Sequence, residues 1–197
     1  MILTALDPDD YLAGDDLVDI ADVGVVALAA SLREQSPSDA EFARAAFEWV
    51  RDQVSHSLDV QDPQITVSAA EALSGRVGLC FAKSHLLVAL LRAEGIPSGF
   101  CYQRLGDGNS FVLHGLVAVY LAGGWHRQDP RGNKPGIDAE FSLTGERLAF
   151  AVGPARGELD YADVLVRPDP GVVAALRGST DALDLCRSGL PSTLSER

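Results

Sequence analysis

The sequence predicts an α+β domain, with helices gathered in its first half and an antiparallel sheet after them. Three observations carry this expectation. Helix-period apolar patterns with capping signals fill the chain to about residue 93. Strand-like runs separated by turns rich in Gly, Asp and Asn follow. The two kinds of element do not alternate, and alternation is what a parallel sheet requires. With 197 residues and 47% hydrophobic content, the chain can bury one good core. A single domain is therefore expected over residues 1–187, with a flexible tail over 188–197.

Taken in order, Asp15–Arg33 is apolar and Ala-rich and reads as the first helix. Ser38 and Glu41 form a capping box for a second, running to about Val54, with Phe42, Ala45, Ala46, Trp49 and Val50 on one face. Asp62 and Pro63 break the chain. Ser68 and Glu71 repeat the capping box for a short helix that Gly75 can terminate. Gly78 precedes a central helix over Leu79–Ala93, striped by Leu79, Ala82, Leu86, Leu90 and Ala93 and widened by Leu87 and Leu91. Gly95, Ile96 and Pro97 stop it.

The runs Ser98–Leu105, Phe111–Leu121 and Gly124–Asp129 then read as an antiparallel meander with turns at Gly106–Asn109 and Gly123-Gly124. The middle run is apolar on both faces, so it is expected to be a covered, central strand. Short strands are expected at Phe141–Leu143, Leu148–Val152 and Val164–Arg167, and a closing helix from about Gly171.

Charge narrows the functional classes. The formal net charge is −12 and the pI about 4.6. Such a field repels phosphate backbones and anionic lipid, which argues against nucleic-acid and membrane partners. The nearest thing to a basic stretch, Trp125–Lys134, holds only Arg127, Arg131 and Lys134 as fixed cations. The stretch Met1–Asp10 has no basic n-region, and no apolar run reaches the ~18 residues of a spanning helix. Cys80, Cys101 and Cys186 form neither a close pair nor a zinc-type spacing, and an odd, sparse count fits a reducing cytoplasm. No cofactor motif is present; Gly106-Asp107-Gly108 reads as a turn.

The candidate chemistry starts at Cys80, near the first turn of the central helix. Unsatisfied N–H groups and the positive dipole end there favour thiolate over thiol. The Cys80 backbone N–H is also a natural oxyanion donor. His114 lies four residues into the central strand, and Asp129 closes the strand after it. Antiparallel pairing lets those two be cross-strand neighbours, with the carboxylate fixing the imidazole and the ring facing Cys80. Each residue alone has an ordinary reading: a small core thiol, a satisfied buried histidine, a turn-opening aspartate. The ordered set is what points to a nucleophile, a base and an orienting group. His85 is rotated off the Cys80 face of its helix, His126 alternates away from Asp129, and Cys101 and Cys186 read as packing thiols. His56 could line a cleft, though a polar residue at a helix end is the better account of it.

A family resemblance rests on several of these segments together. Gly78-Leu79-Cys80, leading through Arg92-Ala93-Glu94-Gly95-Ile96-Pro97, resembles the nucleophile helix and following turn of the transglutaminase-like superfamily. His114-Gly115-Leu116-Val117-Ala118-Val119-Tyr120, then Gly124-Trp125 and Asp129-Pro130, resemble its histidine and aspartate segments. Val50-Arg51-Asp52 and His56-Ser57-Leu58-Asp59 resemble the helix end before the active site in small bacterial members. The similarity covers about residues 42–133, with a weaker echo at Glu158–Tyr161. It implies a papain-like fold in which the nucleophile helix packs on an antiparallel sheet, with Cys80 as nucleophile, His114 as base and acid, and Asp129 as orienter. Leu116 and Ala118 depart from the Trp and acidic residue many relatives carry, which speaks against protein cross-linking. Nothing resembles the calcium sites or flanking β domains of the animal cross-linking enzymes.

The resulting expectation is cysteine-dependent acyl transfer or hydrolysis on amide, isopeptide or thioester groups of a peptide, protein or small substrate, without cofactor or metal. Two other readings stay open: a binding protein that keeps the fold without turnover, and a zinc site made by Cys80, His114 and Asp129.

Overall fold

The computed structural model describes residues 1–107 and 110–196. Its helices are α1 (Val23–Arg33), α2 (Asp39–Gln53), the single turn α3 (Ser57–Val60), α4 (Ala69–Gly75), α5 (Cys80–Ala93), α6 (Pro170–Gly178) and the short α7 (Ala182–Asp184). The strands β3 (Ser98–Asp107), β4 (Ser110–Leu121) and β5 (Gly124–Gln128) form the expected antiparallel meander, and β6 (Leu159–Asp160) extends it in the order β5-β4-β3-β6. Two-residue strands β1 (Ser55–His56) and β2 (Val77–Gly78) pair in parallel beside the start of α5. The result is a mixed helix-and-sheet fold in which helices precede an antiparallel sheet.

The central helix is buried from Cys80 to Arg92, because α1, α2 and α4 cover one side and β3 and β4 the other. Its sequence stripe widens to the whole circumference, as a helix enclosed by protein demands. The polar residues this encloses are put to use. Lys83 Nζ donates to the carbonyls of Arg51 and Val54 at the end of α2. Arg92 donates to Ser98, Ala13 and Val166 carbonyls, and His85 Nδ1 sits 2.5 Å from the Val67 carbonyl. These contacts tie three irregular segments to the helix and satisfy carbonyls that water cannot reach. β4 is covered on both faces: Leu113, Val117 and Val119 pack on the helical core, Leu116 and Ala118 on a smaller cluster with Tyr11 and Val164.

Several sequence expectations need correction. The first helix begins at Val23, not Asp15. The carboxylates of Asp15, Asp19 and Asp22 each accept backbone N–H groups two or three residues ahead, and these local turns outcompete the helix until Asp22 caps it. The buried face of α2 is rotated: Ala43 and Phe47 are inside, Ala45 and Trp49 only half-buried. The α4 helix closes on Arg76, at φ +54°, rather than at Gly75. A left-handed non-glycine costs roughly 1–2 kcal/mol, offset in part by the Arg76 guanidinium lying 4.4 Å over the Trp49 ring.

No strand forms at Phe141–Leu143, Leu148–Val152 or Val164–Arg167. Their backbone is satisfied by other means: Ser142 N donates to the Gln128 side chain, Ala149 N to Asp129, and Leu165 makes an isolated bridge with Phe100. β6 is a strand the sequence did not signal. The turn expected at Gly106–Asn109 falls partly on residues 108 and 109, outside the described residues. The β4–β5 turn is two residues, Ala122 and Gly123, both at positive φ (52° and 80°), a geometry that matches strand twist. Among the described residues, no helix is long and apolar enough to cross a membrane.

Candidate active site

Cys80 is the first residue of α5, and Leu79 before it supplies no side-chain cap. The first-turn N–H groups are therefore without a capping side chain, next to the thiol. β4 passes beside it: Gly115 N donates to Cys80 Sγ at 3.4 Å. A side chain at position 115 would force its surroundings to shift, since an added Cβ would lie 2.8 Å from Phe81 Cδ1. Close approach of strand and helix start is thus written into a glycine.

The neighbouring residue, His114, is 5% exposed and hydrogen-bonds Asp129 Oδ2 through Nε2 at 2.9 Å. The same ring is near enough to Cys80 to feel its charge and meets the Phe150 ring edge-on at 5.1 Å. Extending the Val117–Gln128 pairing by one residue sets Asp129 opposite Leu116. His114 and Leu116 share a sheet face, so histidine and aspartate meet diagonally, two residues out of direct register. Asp129 itself lies one residue past β5 and is fully buried. Its Oδ2 also accepts from Ala149 N at 2.9 Å, and Oδ1 accepts from Arg131 N at 3.2 Å.

Electrostatics follow from this packing. Burial alone would lower the His114 pKa, but the charges of Asp129 and Cys80 outweigh it and raise the ring to about 10. Burial would raise Asp129, yet His114 and two backbone N–H donors hold it below the usual carboxylate range. Both shifts favour an imidazolium–carboxylate pair at neutral pH.

A cavity of about 450 Å³ opens on Cys80 and His114. Its walls are largely apolar, from Leu79, Val112, Leu113 and Phe150, with His56 and Arg131 at one side. Arg131 is held by Asp59 through two bonds, 2.7 and 2.9 Å, and Lys134 reaches the same carboxylate at 2.5 Å. Burial pulls against ionisation of Asp59, but these cations hold it at about 2. His56 is pushed down to about 3 by burial and then by Arg131, so its ring is neutral.

The structure brings Cys80, His114 and Asp129 together. It keeps apart the residues discounted from sequence: His85 is buried on α5 against Phe100, and His126 bonds the Leu121 carbonyl. Cys101 lies in the smaller cluster, pushed up to about 12 by burial. Cys186 differs from its sequence reading as a packing thiol alone, because it lines the cavity, as does Leu190. Neither residue carries a motif, and a contact between residues so far apart along the chain leaves no local pattern. Among the described residues, no group of three or more His, Cys, Asp or Glu is arranged to hold a metal ion.

The family model for the transglutaminase-like superfamily matches residues 26–130, just over half the chain. The chain belongs to the transglutaminase-like superfamily. That match spans the nucleophile helix, the meander and Asp129, so this transglutaminase-like chain carries the whole Cys-His-Asp constellation inside the matched region. Solved structures similar to it include a candidate cysteine protease from Cytophaga hutchinsonii, at 19% identity and TM-score 0.48, covering 61% of this chain and 40% of that one. The periplasmic domain of TgpA from Pseudomonas aeruginosa is similar at 20% identity and TM-score 0.49, covering 64% and 48%. The chain thus spans less than half the length of either. No curated protein matches it.

Proposed function

We propose that the protein is a cysteine-dependent acyl-transfer enzyme, acting on amide, isopeptide or thioester carbonyls through a thioacyl intermediate. The observation that supports this reading is the His114 ring bonded to buried Asp129 and lining, with Cys80, the same cavity. In the first half-reaction the Cys80 thiolate adds to the carbonyl carbon, and the oxyanion is met by the Cys80 N–H at the helix start. The C–N or C–S bond then breaks as His114 gives its proton to the leaving amine or thiol. In the second, neutral His114 takes a proton from water or an amine as it attacks the thioester, and Cys80 leaves as thiolate. Asp129 orients the ring and stabilises its cation throughout.

Hydrolysis gives a peptidase or amidase, and an amine acceptor gives amide formation. The cavity lining is largely apolar, which suits an acyl group with an apolar side chain.

The test is comparative. Iodoacetamide should modify Cys80 faster than Cys101 or Cys186, both of which burial pushes up to about 12. A panel of peptide, isopeptide and acyl-thioester substrates should be turned over by the wild type and not by Cys80→Ala. Equal labelling of the three thiols, or a protected Cys80, contradicts the assignment. Selective labelling without turnover of any substrate class favours a binding protein that keeps the fold.

A further inference from the structure

The edge of β4 that faces away from β3 is used by three different partners. β5 pairs with it only from Val117 to Leu121. Two residues upstream, Gly115 N donates to Cys80 Sγ; two further, Leu113 N donates to the carbonyl of Pro191 at 2.9 Å. Pro191 belongs to the C-terminal segment, which follows a single π turn over Leu185–Gly189 and is extended at Leu190 (φ −74°, ψ 141°). Leu190 lines the same cavity as Cys80 and His114 and packs on the core beside it. Further along, Ser195 is tied to Asp169 by N and Oγ, at 2.8 and 3.1 Å.

We infer that the Leu113 edge is a strand-pairing subsite for an extended peptide bearing an apolar side chain, and that Leu190–Pro191 fills it as an intramolecular competitor. This rests on the reading of Cys80 as the nucleophile. A sheet edge recognises a peptide by main-chain hydrogen bonds and by pockets for alternate side chains. Here one main-chain acceptor meets Leu113 N and one leucine enters the cavity, two residues along the strand from the N–H that contacts the sulfur. Proline has no N–H to return to β4, so the pairing is one-sided and releasable. The tie at Ser195 lies outside the cavity and keeps the segment near when it lifts. A tethered segment of this length competes at an effective concentration in roughly the millimolar range, so an incoming peptide must outbid it or find it displaced. A bare acyl chain could fill the apolar wall but offers no carbonyl to Leu113 N, which is why the subsite selects peptide.

Two measurements with separate outcomes test this. A fluorescent peptide of residues 187–197 is titrated by anisotropy against the full chain and a chain lacking residues 190–197, both as Cys80→Ala. The expected result is binding to the shortened chain, at least ~tenfold weaker binding to the full one, and loss of binding when the peptide carries Leu190→Ser. In parallel, Cys80 labelling by a leucyl chloromethyl ketone peptide should speed up on the order of tenfold on shortening, while labelling by small iodoacetamide changes little. The full-length Leu190→Ser protein, which retains the Ser195 tie, should show the same gain, with a melting curve confirming its fold. No binding to either chain and no gain in peptide labelling, with iodoacetamide still selective for Cys80, overturns the subsite and leaves the nucleophile standing. Peptide binding without selective Cys80 labelling leaves the subsite standing and removes the nucleophile.

Discussion

Replacing Asp129 by Asn separates what the carboxylate orients from what its charge holds. Its two oxygens accept three N–H donors, from His114, Ala149 and Arg131. An amide has one acceptor oxygen, so in either orientation an NH₂ must face an N–H. Keeping the oxygen toward His114 and Ala149 opposes the NH₂ to Arg131 N, and one unsatisfied buried donor costs about 1–3 kcal/mol. At this chain length a loss of ~2 kcal/mol lowers Tm by roughly 4–8 °C. Equal volume alone argues for a thermally silent swap; three converging donors argue otherwise.

The charge effect is read separately. Asp129 is the strongest influence raising His114 to about 10 against burial. With the folded value above the ordinary one, the imidazolium persists until pH rises through about 10. In the Asn variant it is lost at lower pH. Titration of the His114 ring by NMR should show that fall directly. The alkaline limb of kcat/KM should move down with it, and kcat/KM at neutral pH should drop on the order of 10 to 10³, or about 1.4–4 kcal/mol in the barrier. An Asn variant with full activity and an unmoved ring titration would make Asp129 a turn residue and refute the argument. An unfolded variant would make it a structural one.

Two other perturbations have worked signs. Lys83 is fully buried and pushed down to about 7 by burial and then by Arg131. Between that value and about 10.4 the unfolded chain binds a proton the folded chain lacks, so stability rises with pH, by at most about 5 kcal/mol. The stability of wild type minus Lys83→Met should therefore climb through that window, and denaturant melts giving a flat difference would contradict the burial argument. Gly115→Ala puts a methyl 2.8 Å from Phe81 Cδ1. It should cost about 1–3 kcal/mol and slow Cys80 alkylation as β4 is pushed off the helix start; unchanged alkylation in a folded variant would show that the Gly115 contact does not set the thiol.

The parts legible in the sequence are those whose cause is local. The two capping boxes, the stop at Gly95 to Pro97 and the β4–β5 turn, expected at Gly123-Gly124 and found one residue earlier at Ala122-Gly123, are set by residues within a few positions of one another. The Cys80, His114 and Asp129 constellation was legible because a meander converts chain order into spatial order. The segments misread as strands between Phe141 and Arg167 are satisfied by distant partners, the Gln128 and Asp129 side chains and the Phe100 backbone among them, which no window of sequence can display. The false start of α1 had a visible cause: aspartates at 15, 19 and 22 that bond their own backbone. The tail over the cavity had none.

The two-residue turn at Ala122 and Gly123 sits at the far end of the β4–β5 hairpin from Cys80, yet it acts as a length gauge for the site. Side chains alternate across a sheet, so a one-residue slip sends every residue of β5 to the opposite face. One residue inserted at this turn, with the strands re-zipped by the shift, would set Asp129 opposite Gly115 or Val117 and carry its carboxylate to the helix side, away from His114. Point substitutions at the hairpin tip are tolerable by comparison; Ala122→Gly even relieves a left-handed alanine. Changes of chain length there are a different class of lesion: the sheet could still close around an intact core with its histidine deprived of its partner.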